Sequence, residues 1–255
     1  MHRLLVESEE LSRETPSLSR EALNHLKVLR PKDGEPIELF DGRGAWRVYA
    51  FRRADGALVP TAEVRRAQPP VRGLTLFACV TKGARWDWTI EKATELGVTR
   101  LVPVVSARTI VRVAADERAA KRVRWLRIAE EAARQSDAKW LPEIVEPVDF
   151  AASLALVRET ACLVGALTSP PPKTIGAALR EADVASVRDF AVFVGPEGDF
   201  TPAELAALLE IATPVSFGNT VLRAETAAIY GVSAVKAFLE SLHTFASSLT
   251  RETTM

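Results

Sequence analysis

Residues 194–227 read VGPEGDFTPAELAALLEIATPVSFGNTVLRAETA, and they contain two loops that each follow a short apolar strand and precede a helix. The predicted strands are Phe190–Val194 and Pro214–Phe217. In the first loop, Thr201-Pro202-x-Glu204 has the pattern of a capping box with proline at the first helical position, so a helix should begin there. Two such loops, brought together, form a crevice that can hold a ligand.

The charge of the first loop limits the kind of ligand. Gly195 and Gly198 allow tight turns and a close approach of the backbone to a bound molecule. A phosphate-binding loop would place Lys or Arg beside such glycines, whereas this loop carries Glu197 and Asp199. The expected ligand is therefore neutral or cationic.

From Leu74 onward the chain alternates apolar strands with helical stretches. This alternation predicts an α/β fold with a parallel sheet covered by helices on both faces. The remaining predicted strands are Leu74–Val80, Leu101–Val105 and Ala161–Leu167. The predicted helices are Trp86–Leu96, Asp116–Ser136, Thr174–Ala182, Pro202–Ile211 and Glu225–Leu242. The polar stretch from His243 to Met255 is expected to be mobile.

The first 70 residues have a different pattern. One predicted helix, Ser19–Val28, is followed by β-like runs at Pro36–Phe40, Ala45–Phe51 and Ala57–Val64, with Gly and Asp turn signals between them. These short strands suggest a small barrel. Gln68-Pro69-Pro70 marks a boundary, so we expect domains at residues 1–70 and 73–245, with a mobile tail at 246–255.

Composition excludes several classes of protein. A chain of 255 residues with 47% hydrophobic content can bury one sizeable core and a small second domain. It has no apolar run long enough to cross a bilayer and no basic-then-apolar leader, so we expect a cytoplasmic protein with no membrane partner. Cys79 and Cys162 lie in predicted buried strands and should be core residues. The 3 histidines are isolated, so no metal site is expected.

Charge is unevenly distributed along a chain whose net charge is zero. Residues 73–140 carry 13 basic and 8 acidic side chains, and residues 141–255 carry 7 and 14. The basic excess is concentrated on and just after the helix predicted from Asp116. A locally basic helix can bind RNA phosphates, but it can equally be a solvated helix face. The cations concerned are Arg118, Lys121, Arg122, Arg124, Arg127, Arg134 and Lys139.

Five motifs, with the two glycine loops counted as one pair, resemble those of the RsmE family of RNA methyltransferases and follow the same order along the chain. GPEGDF at 195–200 and FGNTVLRAETA at 217–227 are similar to the family patterns GPEGGF and LG-x-x-ILRTETA. The upstream matches are His25-Leu26 with Val28-Leu29-Arg30, Asp41-Gly42-x-Gly44, EKATELGV at 91–98, and Glu131-Ala132-Ala133-x-Gln135-Ser136 followed by Pro142-Glu143-Ile144.

The resemblance implies a fold and a reaction that periodicity alone does not predict. The implied fold is a SPOUT-type parallel sheet with a C-terminal trefoil knot, preceded by a small N-terminal PUA-like β-barrel that contacts RNA. The implied reaction methylates N3 of a uridine in 16S ribosomal RNA, with S-adenosylmethionine as the cofactor. The implied partners are 16S rRNA, in the assembled small ribosomal subunit, and a second copy of the chain in a homodimer.

The resemblance also assigns roles to individual residues. Arg223 and Glu225 are the implied catalytic residues. The implied cofactor-binding residues are Leu167, Thr168, Gly195, Pro196, Glu197, Gly198, Phe217, Gly218, Asn219, Val221, Leu222, Arg223 and Thr226. The residues expected to contact RNA are His25, Arg30, Arg122, Arg124, Arg134 and Lys139.

Each catalytic assignment has a structural alternative. Arg223 could stabilise the uracil anion, or it could form an ion pair with Glu225 or Glu197 that only holds the two loops together. Glu225 opens the last helix, where a capping role is common and where the helix dipole makes a carboxylate a weak base. Glu197 could face the cationic cofactor or bind amides of its own loop.

The chain departs from the family pattern at two places. Asp199 stands where the family usually has a second glycine, so a positive backbone angle there would fall on an aspartate, which tolerates it better than most residues. Asp137-Ala138 stands where the family usually has Gly-Arg, which removes an expected arginine. If that arginine contacts RNA or the partner subunit, Lys139 or Arg134 must compensate.

Two other functions remain open from the sequence. The first is methylation of a ribose 2′-hydroxyl, which related knotted enzymes perform. The second is a non-catalytic role in binding rRNA during assembly. The presence of Arg223, Glu225 and both glycine loops argues against the second alternative.

Overall fold

The computed structural model describes residues 1–157, 160–181, 187 and 189–252, without the side chains of 160 and 243–252. The chain divides into two compact units. The first contains Met1–Pro70 and Ala129–Leu141, and the second contains Val71–Ile128 and Pro142–Met255. None of the helices in the described ranges combines the length and the apolar character that crossing a membrane requires.

The first unit is built on a five-stranded sheet in the order β1-β2-β3-β4, with β5 also paired to β3. The pairing of β1 with β2 is parallel, and the other pairings are antiparallel. Its elements are β1 (His2–Leu5), α1 (Arg20–Leu29), β2 (Pro36–Phe40), β3 (Ala45–Arg52), β4 (Ala57–Pro60) and β5 (Arg65–Arg66).

Sequence patterns predicted the centre of this sheet better than its edges. The predicted strand Pro36–Phe40 is confirmed as β2, and Ala45–Phe51 is confirmed as β3 within one residue. The predicted single strand Ala57–Val64 is wrong, because β4 ends at Pro60 and β5 follows separately. The strand β1 was not predicted, since four residues are too few to show an alternating pattern.

The turn between β2 and β3 explains the Asp41-Gly42-x-Gly44 motif. The Asp41 carboxylate accepts hydrogen bonds from the backbone amides of Arg43 and Ala45, at 2.8 and 2.9 Å. Gly44 has a φ of +95°, and a Cβ atom there would lie 2.4 Å from the Trp140 indole. Glycine is therefore required at this position both by the backbone angle and by the space available.

A buried ion pair fixes residues 129–141 to the first unit. Arg3 and Glu38 are only 6% and 2% exposed, and Arg3 Nε lies 2.7 Å from Glu38 Oε1. Arg3 also donates to the backbone carbonyl of Ala138 at 3.0 Å, and the Lys139 ammonium lies 2.7 Å from Glu38 Oε1. Removing one partner would leave an uncompensated buried charge, which is strongly destabilising.

The second unit is built on a seven-stranded parallel sheet in the order β12-β10-β11-β6-β7-β8, with β9 also paired to β7. Its strands are β6 (Leu74–Cys79), β7 (Arg100–Val105), β8 (Glu143–Ile144), β9 (Val148–Asp149), β10 (Thr160–Gly165), β11 (Asp189–Val194) and β12 (Thr213–Val215). The helices are α2 (Ala84–Glu95), α3 (Arg118–Ser136), α4 (Phe150–Leu154), α5 (Ile175–Glu181), α6 (Pro202–Leu209) and α7 (Ala224–Glu252), of which α3 belongs to the first unit from Ala129 onward.

The strands of this sheet are continuous apolar runs because neighbouring residues are buried on both faces. The Phe77 and Phe193 rings stack with their centroids 4.2 Å apart, joining β6 to β11. Cys79 and Cys162 are buried and free, which confirms that they are core residues. Burial raises the pKa of the Cys79 thiol to about 11 and that of Cys162 to about 12.

The predicted parallel α/β sheet is confirmed, and so are its five predicted strands and five predicted helices, although their first and last residues differ from the predicted ones. The largest error is in the last helix, which was expected to end at Leu242 but continues to Glu252. Polar composition does not end a helix when no Gly or Pro interrupts it, and residues 243–252 contain neither. Residues 253–255 of the expected tail, and Ala182 at the expected end of α5, lie outside the described residues.

Candidate functional site

A cavity of about 310 Å³ lies at the carboxyl ends of three neighbouring strands, β10, β11 and β12. In open parallel sheets, ligands bind at this end, where the loops from adjacent strands converge. The walls come from three segments of the second unit, each following one of these strands. These segments are residues 165–167, 194–199 and 217–227. The residues that line the cavity are Gly165, Ala166, Leu167, Val194, Gly195, Pro196, Glu197, Asp199, Phe217, Gly218, Thr220, Val221, Leu222, Arg223, Ala224 and Ala227.

The loop after β11 is held in a defined conformation. The Asp199 amide donates to the carbonyl of Pro196 at 2.9 Å, closing a turn. Asp199 itself has a φ of +58°, so the positive angle falls on the aspartate that replaces the usual glycine, as predicted. A Cβ atom on Gly195 would lie 3.2 Å from both the Asp199 carboxylate and the Phe200 ring. The loop therefore has little room for a larger residue at position 195.

The predicted capping box is confirmed, and it also fixes a neighbouring loop. The Thr201 hydroxyl accepts from the Glu204 amide at 3.2 Å, and the Glu204 carboxylate accepts from the Thr201 amide at 2.9 Å. Glu204 Oε1 additionally accepts from the backbone amide of Ala107, which follows β7. Next to it, Arg108 donates to the carbonyl of Gly198 at 2.8 Å. These bonds tie the loop after β7 to the wall of the cavity.

Nine of the predicted cofactor-binding residues line the cavity, and four do not. Those in the lining are Leu167, Gly195, Pro196, Glu197, Phe217, Gly218, Val221, Leu222 and Arg223. The four outside it are Thr168, Gly198, Asn219 and Thr226. Gly198 instead contributes its carbonyl to Arg108, and Thr168 donates to the carbonyl of Pro170 at 2.9 Å. Among the residues that sequence reasoning missed are the small residues Gly165, Ala166 and Ala227, which carry no distinctive side-chain signal.

The ion pairs around the cavity differ from those that the sequence suggested. Arg223 lines the cavity, and it forms no ion pair or side-chain hydrogen bond with any residue that the structure describes. Glu197 and Glu225 are both paired with Arg85, an arginine on the first turn of α2. The alternative in which Arg223 only joins the two loops through these acids is therefore not found. Arg85 was missed because it lies far from both loops in the chain.

Glu225 lies in the first turn of α7 and does not line the cavity. Its side chain is 11% exposed, and its Oε2 atom is buried without a hydrogen-bond partner in the described part of the chain. A buried carboxylate oxygen with no partner is unusual and often marks a functional position.

Most cations predicted to bind RNA are engaged within their own unit. In the second unit, Arg122 donates to the carbonyl of Ile144 at 2.7 Å, and Arg124 pairs with Asp87. In the first unit, Arg134 pairs with Glu131, and Lys139 pairs with Glu38. The side chains of Arg134 and Lys139 are 12% and 16% exposed, so they are poorly placed to compensate for the arginine absent at Ala138.

His25 and Arg30 differ from these four cations. Arg30 is exposed at the end of α1 with a φ of +47°, and His25 is half-buried on the same helix. No cluster of three or more His, Cys, Asp or Glu side chains suited to a metal ion occurs within the described ranges.

Comparison with known proteins identifies the family. A model described as an RNA methyltransferase domain matches residues 67–236. The ribosomal RNA small subunit methyltransferase E of Synechocystis sp. is 33% identical over 250 residues, covering 94% of this chain and 78% of its own. The protein of the same name from Bacillus subtilis is 28% identical, covering 87% of this chain and 89% of its own.

Two solved structures match in fold over nearly the whole chain. A methyltransferase from Legionella pneumophila in complex with bound S-adenosylmethionine has a TM-score of 0.81 and 29% identity, covering 92% of this chain and 96% of its own. Ribosomal RNA small subunit methyltransferase E from Neisseria gonorrhoeae, bound to S-adenosylmethionine, has a TM-score of 0.81 and 26% identity, covering 93% and 98%. The chain belongs to the RsmE family of RNA methyltransferases, as its motifs indicated.

Proposed function

We propose that this protein transfers a methyl group from S-adenosylmethionine to N3 of a uridine in 16S ribosomal RNA. The observation that carries the proposal is the cavity between the two glycine loops, in a chain that is 33% identical to a ribosomal RNA small subunit methyltransferase E along almost its full length. Family membership sets the reaction class, and the cavity supplies the place for the cofactor.

The lining of the cavity fits S-adenosylmethionine. The cofactor carries a sulfonium cation, and two acidic residues, Glu197 and Asp199, line the cavity. Val221 and Leu167 are 78% and 67% exposed, so they offer apolar surface that an adenosine could cover. Backbone groups at Gly195 and Gly218 can approach a ligand closely because neither has a side chain. A volume of about 310 Å³ is within the usual range for ligand sites.

The chemistry requires uracil N3 to lose its proton before it can accept a methyl group. Bound S-adenosylmethionine supplies an electrophilic methyl group. The protein's part is to position the base and to stabilise the negative charge that develops on its oxygens. Arg223 suits this role because it lines the cavity and forms no ion pair with a described acid. Glu225 contributes by charge, through its pairing with Arg85 beside the cavity.

Several finer features are part of the same proposal. From the resemblance of the motifs, we also propose a trefoil knot at the cavity and a PUA-like character for the first unit, in which His25 and Arg30 would contact RNA. We propose a homodimer that acts on the assembled small subunit. A protein that modifies ribosomal RNA works where ribosomes are made, which favours the cytoplasm.

A methyl-transfer assay tests the proposal directly. Naked 16S rRNA and assembled small subunits are incubated with labelled S-adenosylmethionine, and the modified nucleoside is identified by mass spectrometry. We expect 3-methyluridine, with more product from assembled subunits. A 2′-O-methylated nucleoside would replace the base-methylation proposal with the ribose alternative, and cofactor binding without any methylation of RNA would indicate a non-catalytic role.

A further inference from the structure

Arg85 lies beside the cofactor cavity and is held there by two acids. It is on the first turn of α2, directly after the strand β6, which neighbours β11 in the sheet. Its Nη1 atom is 3.6 Å from Glu197 Oε1, and its Nε atom is 3.8 Å from Glu225 Oε1. Glu197 is part of the cavity wall. The guanidinium therefore lies within ion-pair distance of the site but outside the set of residues that line it.

The donors of Arg85 make no hydrogen bond to the residues that the structure describes. Both distances exceed 3.5 Å, so the acids attract the guanidinium without accepting well-formed hydrogen bonds. An arginine has five N–H donors, and Arg85 donates none of them to a side chain or carbonyl that the structure describes. Arg108, by contrast, donates to the carbonyl of Gly198 at 2.8 Å. Arg85 is thus positioned by charge while its hydrogen-bonding capacity remains available.

The surroundings of Arg85 favour a negatively charged ligand once the cofactor is bound. Its side chain is 49% exposed, and the neighbouring Lys82 is also exposed. With Arg108 and Arg223, three arginines accompany three acids at the site, Glu197, Asp199 and Glu225. A bound sulfonium would then leave an excess of positive charge. Anionic oxygens prefer arginine because its planar fork of donors matches their geometry.

We infer that Arg85 binds an anionic oxygen of the acceptor nucleotide next to the cofactor cavity. This inference rests on the proposed function. The oxygen belongs either to a phosphate flanking the target uridine or to the uracil ring as it loses its N3 proton. In both cases Arg85 positions the acceptor, whereas the cofactor is held by the two glycine loops.

The test compares Arg85→Gln and Arg85→Lys with the wild type. Lys92→Gln is the matched control, because Lys92 is on the same helix and pairs only with Glu91 and Glu95 among the described residues. Methyl transfer to assembled small subunits gives kcat and KM, filter binding gives the affinity for 16S rRNA, and calorimetry gives the affinity for S-adenosylmethionine. We expect Arg85→Gln to lower kcat/KM for RNA about 10- to 100-fold, the usual effect of losing a charged hydrogen bond, with cofactor affinity nearly unchanged.

Whether Arg85→Gln changes KM or kcat shows which oxygen Arg85 contacts, that of the phosphate or that of the uracil. A phosphate contact would raise KM and weaken RNA binding, with substantial rescue by Arg85→Lys. A contact to the uracil anion would lower kcat and shift the alkaline rise of the rate to higher pH, with little rescue by lysine. The inference is overturned if Arg85→Gln matches Lys92→Gln in both methyl transfer and rRNA binding. It is also overturned if only the affinity for S-adenosylmethionine falls, because Arg85 would then merely orient Glu197. The proposed function fails if the wild type binds rRNA but does not methylate it. In that case rRNA binding still tests Arg85, and equal rRNA affinity of Arg85→Gln and the wild type would overturn the inference.

Discussion

Two aspartates, Asp137 and Asp199, have a left-handed backbone, with φ of 60° and 58°. Aspartate tolerates this conformation better than most residues, although glycine adopts it at no steric cost. Asp137 follows the end of α3, where a left-handed residue commonly terminates a helix. The chain therefore keeps the backbone geometry that glycine would provide at both places where it departs from the family pattern.

We predict that Asp137→Ala destabilises the protein by about 1 kcal/mol, because alanine is strained at this angle. Asp137→Gly should lose less stability than Asp137→Ala, since both variants lose the pairs with Arg3 and Lys139 but glycine adopts the angle without strain. Urea unfolding of the two variants measures the difference. Equal stability of the alanine and glycine variants would show that the left-handed angle carries no cost here.

The two buried thiols predict a loss of stability in alkali. Desolvation raises the pKa of Cys79 to about 11 and that of Cys162 to about 12, whereas an unfolded thiol loses its proton near pH 8.5. Above about pH 8.5 the unfolded state releases protons that the folded state retains, so the free energy of unfolding falls as pH rises towards 11. We expect a loss of roughly 1 to 2 kcal/mol per thiol by pH 10.

The double variant Cys79→Ala/Cys162→Ala isolates this contribution. Its unfolding free energy, measured in urea at pH 8 and pH 10, should fall less than that of the wild type. An identical pH dependence in both proteins would mean that other groups cause the alkaline loss.

Arg223 is predicted to act in the transition state more than in cofactor capture. It lines the cavity without a described acidic partner, so its donors are available to an anionic base. Arg223→Lys should lower kcat by about 10²-fold, the effect of losing one preorganised donor. The affinity for S-adenosylmethionine, measured by calorimetry, should hardly change. Loss of cofactor binding with an unchanged rate at saturation would make Arg223 a structural clamp between the loops, and the catalytic assignment would be wrong.

At the scale of the element, the start of α6 does more than begin a helix. Thr201 caps the helix, whereas Glu204 both completes the capping box and accepts from the Ala107 amide at 2.8 Å. Glu204 is 9% exposed, and truncating it would remove the carboxylate that accepts from the amides of Ala107 and Thr201. The helix thus connects the loop after β7 to the loop that forms the cavity wall.

We predict that Thr201→Ala costs about 1 kcal/mol, the usual value of an N-cap, and that Glu204→Ala costs more. Glu204→Ala should also weaken S-adenosylmethionine binding, because the loop at 194–199 would no longer be connected through Glu204 to the loop after β7. Urea unfolding and calorimetry on both variants provide the comparison. A larger loss of stability in Thr201→Ala would show that the bond to Ala107 contributes little.

The helix α3 shows that a count of charges does not reveal which cations already have partners, and RNA binding by this helix stays a prediction. Its cations appeared available in the sequence, but Arg122 and Arg124 are engaged by Ile144 and Asp87. The partners lie on segments distant in sequence, so no local pattern indicates that these charges are already used.

At the scale of the whole molecule, the predicted homodimer involves α7. Its side chains Ile229, Phe238, Leu239 and Leu242 remain half-buried in a single chain, while Val232 and Val235 are fully buried against the sheet. We expect sedimentation at micromolar concentration to give twice the monomer mass. Phe238→Glu should shift the protein towards a monomer, and a monomeric wild type would rule out this contact.

The sequence by itself determined the α/β class, the positions of the main strands and helices, the capping box and the two loops that form the cavity. These features depend on residues close together in the chain, where periodicity, Gly, Pro and capping patterns act directly. The motifs also identified the family, since a ligand-binding loop must retain its residue types in order.

Only the tertiary structure decided which charges meet. Arg85 reaches Glu197 and Glu225 because β6 lies beside β11 in a sheet whose strand order differs from the chain order. The same holds for Arg3 with Glu38, and for Glu204 with Ala107. Such contacts depend on the order of strands and on the packing of helices between them, and neither is encoded in a local pattern.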